Sequence, residues 1–193
     1  MYIQRSNVWR DSASLNPSSD HEENRTTLLP LDAMAAISVL SLGSWSQLSV
    51  ARTGLLEQVK QAERRTFPRN EALDFDTELA KRNVHFTIIA EDVTAPGPAR
   101  LVAYLVLARI KSTATVHKLC VLDQYRRLGV ASQLLRLQCE QAKRSGCTRI
   151  QLWVDGERTA AQSLYSKVGF DEVERVNDYY APGRTGIRMV HRS

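Results

Sequence analysis

The sequence predicts an α/β (α+β) chain with one hydrophobic core, on three observations. Apolar runs of strand length and amphipathic stretches of helical period interleave in the order strand, two helices, three strands, helix, strand, helix, two strands. Pro and Gly punctuate the breaks, at Pro68, Ala95-Pro96-Gly97-Pro98, Gly146, Gly169 and Pro182-Gly183. A chain of 193 residues with 43% hydrophobic content can fill one sizeable domain, and no internal repeat divides it.

Residues 1–45 carry Ser, Asn and Asp clusters, as from Asp11 to Asp20, and little sustained periodicity. This predicts a mostly disordered or weakly structured extension with room for one short helix, and a folded domain at 46–193. Leu48 to Arg52 reads as a short strand; Leu55, Leu56, Val59 and Ala62 then recur at helical spacing until Pro68 stops the helix. A second helix is expected over Glu71 to Arg82. Strands follow at Val84 to Glu91, Leu101 to Ile110 and Thr115 to Leu122, separated by the Pro-Gly tract and by Lys111 to Ala114. Ala131, Leu134, Leu135, Cys139 and Ala142 share one face of a helix ending at Gly146. Ile150 to Val154 is a strand, Arg158 to Val168 a helix stopped by Gly169, and Phe170 to Val176 and Ile187 to Val190 are the last two strands.

The formal charge of +5 suits acidic ligands, a polyphosphate included. Lys and Arg are spread along the chain without an aromatic-interleaved platform, so no nucleic-acid partner is expected. Cys120, Cys139 and Cys147 cannot all pair and lack metal-ligand spacing, which predicts no metal site and an intracellular setting, cytoplasmic or nuclear. The longest apolar stretch, Leu28 to Trp45, is broken by Pro30, Asp32, Ser38, Ser41, Gly43 and Ser44, so no membrane span is expected. Nothing in the sequence sets an oligomeric state.

Between Lys118 and Ala131 a buried strand runs into a basic turn and then a helix. Gly129 lets backbone approach a ligand, small Ala131 leaves room beside it, and a helix start offers unpaired N–H groups and a positive dipole end to phosphate. Arg126 and Arg127 add charge there, so the stretch Arg126, Arg127, Leu128, Gly129, Val130, Ala131, Ser132 is a candidate pyrophosphate cradle.

Arg126-x-x-Gly129-x-Ala131 after a strand resembles the acetyl-CoA signature of the GNAT acetyltransferases: Arg or Gln, two residues, Gly, one residue, then Gly or Ala. Ser46 to Val190 follows the element order of that family. The resemblance implies the GNAT acyl-CoA N-acyltransferase fold, a mixed, mostly antiparallel sheet flanked by helices. It also implies acetyl-CoA as cosubstrate, no metal, and direct attack by a primary amine in a ternary complex. The strand containing Thr115 to Val121 would splay from its neighbour, and backbone near Leu119, Cys120 and Val121 would hold pantetheine and polarise the thioester carbonyl. Ser163-Leu164-Tyr165 to Gly169-Phe170 resembles the GNAT segment with a Leu-Tyr and a Gly-Phe pair, which makes Tyr165 the candidate acid for the CoA thiolate. Asn stands in many family members where this chain has Arg158, so one pantetheine contact is changed.

His117 is the candidate base for the acceptor amine, with water the alternative. Strand alternation puts it on one face with Thr115 and Leu119. It matches one of two histidines of arylalkylamine acetyltransferases; Thr115 departs from the other. Asn177 to Arg184 is expected to be an acceptor loop, and its Tyr179-Tyr180 pair resembles protein N-terminal acetyltransferases, including the ribosomal-protein group. Thr115 and Trp153 stand where some of those enzymes carry a basic Tyr and His. Phe67-Pro68 with Glu71-Ala72 is similar to arylalkylamine-type enzymes, with Glu71 placed to meet a cationic amine or the helix dipole. The acceptor is therefore expected to be a peptide or protein N terminus, or else a small amine or polyamine; a non-catalytic acyl-CoA-binding module is the remaining alternative.

Overall fold

The computed structural model describes residues 37–42, 50–91 and 98–192. Along the chain these form β1 (Ile37–Leu42), α1 (Val50–Thr66), α2 (Phe75–Leu79), β2 (Val84–Glu91), β3 (Arg100–Ile110), β4 (Thr113–Val121), α3 (Val130–Arg144), β5 (Arg149–Asp155), α4 (Thr159–Val168), β6 (Asp171–Ala181) and β7 (Arg184–Arg192). Among the described residues there is one seven-stranded sheet, ordered β1-β2-β3-β4-β5-β7-β6. Its pairs are antiparallel except β4 with β5. The expected mixed, mostly antiparallel sheet is what forms.

The N-terminal edge differs from the sequence reading. Val50 to Arg52 are the first turn of α1, not a strand, and the first strand lies further back, where Ile37 to Leu42 pair with Glu91 to Phe86. The sheet thus reaches into the stretch expected to be weakly structured. Six residues, four of them Ile, Val or Leu and two of them serine, suffice for an edge strand but give too short a run to show a period. The rest of the proposed extension lies outside the described residues.

Pro68 ends α1 as expected, and its carbonyl then accepts both Glu71 N–H and Ala72 N–H at 2.9 Å. This turn consumes residues 68–74, so the helix expected over Glu71 to Arg82 shrinks to Phe75–Leu79. Its start is fixed by Asp74, whose carboxylate caps the amides of Asp76 and Thr77. At the other end of the chain, β6 runs on to Ala181 with a register shift after Val176. The expected loop over Asn177 to Arg184 is therefore largely strand, closed by Pro182-Gly183 with Gly183 at φ 79°.

Two apolar layers sandwich the sheet. On one face Leu134, Leu135 and Cys139 of α3 and Ala161 and Val168 of α4 pack on Leu119, Ile150, Leu152 and Ile187. On the other, Leu55, Val59 and Ala62 of α1 and Phe75 of α2 pack on Phe86, Ile88 and Val106. Each fully buried aliphatic contributes about 1.5–3 kcal/mol, which fixes the helices rigidly around the site. No helix among the described residues is long and apolar enough to cross a membrane.

One irregularity matters for function. The β3–β4 register passes from Leu107↔Val116 to Val106↔Lys118, leaving His117 as the extra residue of a β-bulge. Ala114 and Val116 face α3, and after the bulge Leu119 and Val121 do so. The expected shared face of Thr115 and Leu119 is therefore broken at His117, because a bulge flips the alternation.

Candidate active site

The parallel pairing of β4 with β5 stops early. Thr113 to Val116 match Arg149 to Leu152, and no ladder joins Leu119, Cys120 and Val121 to β5. The ladder thus ends short of the point the sequence singled out, and the β5-side edge of β4 there has no ladder partner in β5. Tyr165 on α4 and Gly129 at the start of α3 are on the next elements in the chain.

Beyond Val121, a short 3-10 turn at Asp123–Tyr125 leads to Arg126 and then to Arg127 at φ 67° and Gly129 at φ 80°. A Cβ on Gly129 would meet nothing within 4 Å, so conformation, not crowding within the chain, is what requires glycine. No side chain caps α3, so its first-turn N–H groups remain available to an anion. Buried Val130 anchors the helix, Ala131 and Ser132 are half-buried, and Arg127, Leu128 and Gly129 are exposed. Arg126 folds back on its own turn: Nε donates to the Val121 carbonyl at 3.1 Å and Nη2 reaches Asp123 at 2.6 Å.

Tyr165 is wholly buried, edge-on to Phe170, and its hydroxyl has no hydrogen-bond partner among the described residues. Burial, reinforced by the neighbouring Tyr180 phenol, holds Tyr165 well above the ordinary phenol range, with Arg158 opposing. Tyr180 is pushed up chiefly by burial and then by Tyr179 and Asp155; its hydroxyl also lacks a partner among the described residues. His117 is 6% exposed on the bulged strand.

Of the residues expected to border the acceptor, Glu71 is joined to Asp155 through one guanidinium. Arg184, just past the β6–β7 turn, contacts Glu71 at 3.0 Å through Nη1 and Asp155 at 2.5 and 2.8 Å through Nη2 and Nε. Burial raises the Asp155 pKa, but the Glu157 amide and Arg184 outweigh it and hold the carboxylate low. Glu71 is thus not a free carboxylate waiting for a cation. Beside it Tyr179 stacks on Trp153, centroids 4.1 Å apart and planes within 10°. Gly186 makes room for this: a Cβ there would lie 2.6 Å from the Tyr179 ring.

Beneath the 67–73 turn is a cluster the sequence reading passed over. Lys118 is fully buried, 3.3 Å from Glu63, and donates to the Glu71 carbonyl at 2.7 Å; its Nζ lies 3.5 Å from the centre of the Phe67 ring. Tyr104 donates to the other Glu63 oxygen. Burial lowers the Lys118 pKa and Glu63 counters it. The signals were present: a lysine inside an apolar strand run, and Glu63 four residues after Val59 on the core face of α1.

Among the described residues no group of three or more His, Cys, Asp or Glu side chains could hold a metal ion. Residues 55–170 match the acetyltransferase (GNAT) family, to which the chain belongs. It is an N-acetyltransferase with acetyl-CoA as cosubstrate. An N-alpha-acetyltransferase of Sulfurisphaera tokodaii is 28% identical over 153 residues, 72% of this chain and 89% of the relative. The ribosomal-protein-S18-alanine N-acetyltransferase of Escherichia coli superposes with a TM-score of 0.63 at 20% identity, covering 81% of this chain and 93% of that one. The spermidine/spermine N-acetyltransferase SpeG of Vibrio cholerae, in mutant forms, gives 0.61 at 13% identity over 81% and 94%. Fold likeness alone therefore does not separate peptide from polyamine acceptors.

Proposed function

We propose that this enzyme acetylates the free α-amine of a peptide or protein N terminus. The observation that carries the reading is the state of the acceptor side. Arg184 already ion-pairs with both Glu71 and Asp155, while the buried Tyr180 hydroxyl has no partner of its own among the described residues. A polyamine needs unpaired carboxylates, whereas a peptide backbone needs hydrogen-bonding groups and an aromatic wall, which Tyr180 and the Trp153–Tyr179 stack supply. The Sulfurisphaera relative, named for α-amine acetylation, supports the same class.

In this reading acetyl-CoA supplies an activated thioester. The α3 N–H groups from Gly129 to Ser132 and the Arg126 and Arg127 charges hold its pyrophosphate. Backbone of Leu119, Cys120 and Val121, beyond the end of the β4–β5 ladder, aligns the pantetheine arm and offers N–H groups to the developing negative charge on the carbonyl oxygen. His117, or water beside it, takes the proton of the attacking amine. Tyr165, kept protonated by its burial, gives a proton to the departing thiolate. Phe67 and Glu71 on one side and Tyr179 and Tyr180 on the other border the acceptor. An intracellular setting, cytoplasmic or nuclear, belongs to the same proposal; it is supported by Cys120, Cys139 and Cys147 being buried free thiols.

A small-amine acceptor is the second reading, favoured by the burial of Phe67 and Glu71 beside the site. Initial rates of CoA thiol release with free N-terminal peptides, lysine peptides with blocked N termini, polyamines and arylalkylamines decide between them. Turnover confined to free N-terminal peptides is expected; a preference for polyamines or arylalkylamines would overturn the proposal.

A further inference from the structure

Three donors converge on the buried Glu63 carboxylate: Leu73 N–H at 2.8 Å, the Tyr104 hydroxyl and Lys118 at 3.3 Å. Lys118 turns its remaining polarity toward the same segment, through the Glu71 carbonyl at 2.7 Å and the Phe67 ring. Three of these contacts, from Glu63 to the Leu73 amide and from Lys118 to the Glu71 carbonyl and the Phe67 ring, tie α1 or β4 to residues 67–73, and the other two join β3 and β4 to α1 through Glu63. The segment continues outward through the Glu71 carboxylate to Arg184 and Asp155. Glu71 is held at both ends, its carbonyl from β4 and its carboxylate from the β6–β7 turn.

Stability does not account for such a cluster. Removing two ions from water costs several kcal/mol for each, and apolar side chains of similar volume commonly replace a buried pair at no loss. Lys118 and Glu63 are 0% and 1% exposed, so the full cost applies. What an apolar replacement could not do is aim. Hydrogen bonds to the Leu73 amide and Glu71 carbonyl fix the backbone of the turn in direction as well as distance.

We infer that Lys118 and Glu63 are positioning residues for the acceptor: they fix the 67–73 turn against β4 and so set the width of the groove that takes the amine. The inference rests on the proposed acceptor side, not on the peptide specificity. Neither side chain reaches the reacting atoms; both act through Glu71 and Phe67. Lys118 follows the His117 bulge directly, so the same irregularity that turns Leu119 and Val121 toward α3 turns Lys118 beneath the acceptor turn.

The test uses Lys118→Met, Glu63→Gln and the double variant. Each single change leaves one buried group without its counter-charge and lowers the melting temperature; the double change removes both charges and recovers most of that loss. In the double variant, hydrogen exchange at the Glu71 to Leu73 amides should be accelerated about tenfold or more while α3 and β4 keep their protection. The acceptor KM should stay raised about tenfold, with acetyl-CoA affinity within about twofold of the parent. If KM and exchange return to parental values with stability, the pair is merely structural and the inference fails. If acetyl-CoA affinity falls in parallel, the turn does not act on the acceptor, and the inference fails likewise. The exchange measurement needs no acceptor, so it stands even if the best substrate is not a peptide N terminus.

Discussion

The proposed cofactor turn and the proposed acceptor side are built in different ways. From Arg126 to Ser132 the proposed working groups are the N–H groups of Gly129 to Ser132 and the charges of Arg126 and Arg127, and the N–H geometry follows from two positive φ values and an uncapped helix. The proposed acceptor side joins residues far apart in sequence: Arg184 meets Glu71 across 113 positions and Lys118 meets the Glu71 carbonyl across 47. A local backbone device tolerates change in most side chains but not in its glycine. A long-range side-chain assembly fails by degrees as each contact is lost.

The comparison breaks most sharply at Gly129. Gly129→Val puts a β-branched residue at φ 80° and turns the first α3 amides from the phosphates. Losing two or three charge-assisted hydrogen bonds should cost about a thousandfold in acetyl-CoA affinity by calorimetry. Tyr165→Phe comes next: kcat should fall about a hundredfold with acetyl-CoA affinity unchanged. Since burial raises this phenol's pKa, the neutral acid persists above pH 10, so kcat of the parent should show no alkaline fall there from Tyr165 ionisation. Unchanged kcat in Tyr165→Phe would leave the thiolate without this donor.

On the proposed acceptor side the effects shrink. Arg184→Ala frees Glu71 and Asp155 together and should raise the acceptor KM about tenfold while sparing acetyl-CoA binding. It should also improve polyamines relative to peptides, since two carboxylates are released. Gly186→Ala displaces Tyr179 from Trp153 and should raise the acceptor KM only about threefold, because the stack is a wall and not a charge partner. An equal loss of acetyl-CoA affinity in either variant would erase the distinction between the two regions.

The same distinction explains what the sequence disclosed. Arg126-x-x-Gly129-x-Ala131 is contiguous, so its turn and helix start could be read directly, as could Gly169, at φ 101° behind α4. The strand at Ile37–Leu42 was missed because a six-residue edge run carries too little pattern, and Asp74 shortened the second helix by capping it late. Phe67, Glu71, Tyr179 and Tyr180 were picked out as candidates by residue type. Their arrangement was not, since Glu71 as a free anion and the Arg184 clamp predict opposite electrostatics from the same residues. Nor can local alternation foresee the bulge at His117, which depends on how β3 pairs.

The most direct test of the account is CoA thiol release with one lysine-containing peptide supplied twice, with its N terminus free and with it acetylated beforehand. Release with the free form and none above background with the blocked form is the expected result. Equal rates on the two would show that the lysine ε-amine is the acceptor and would contradict the acceptor side described here.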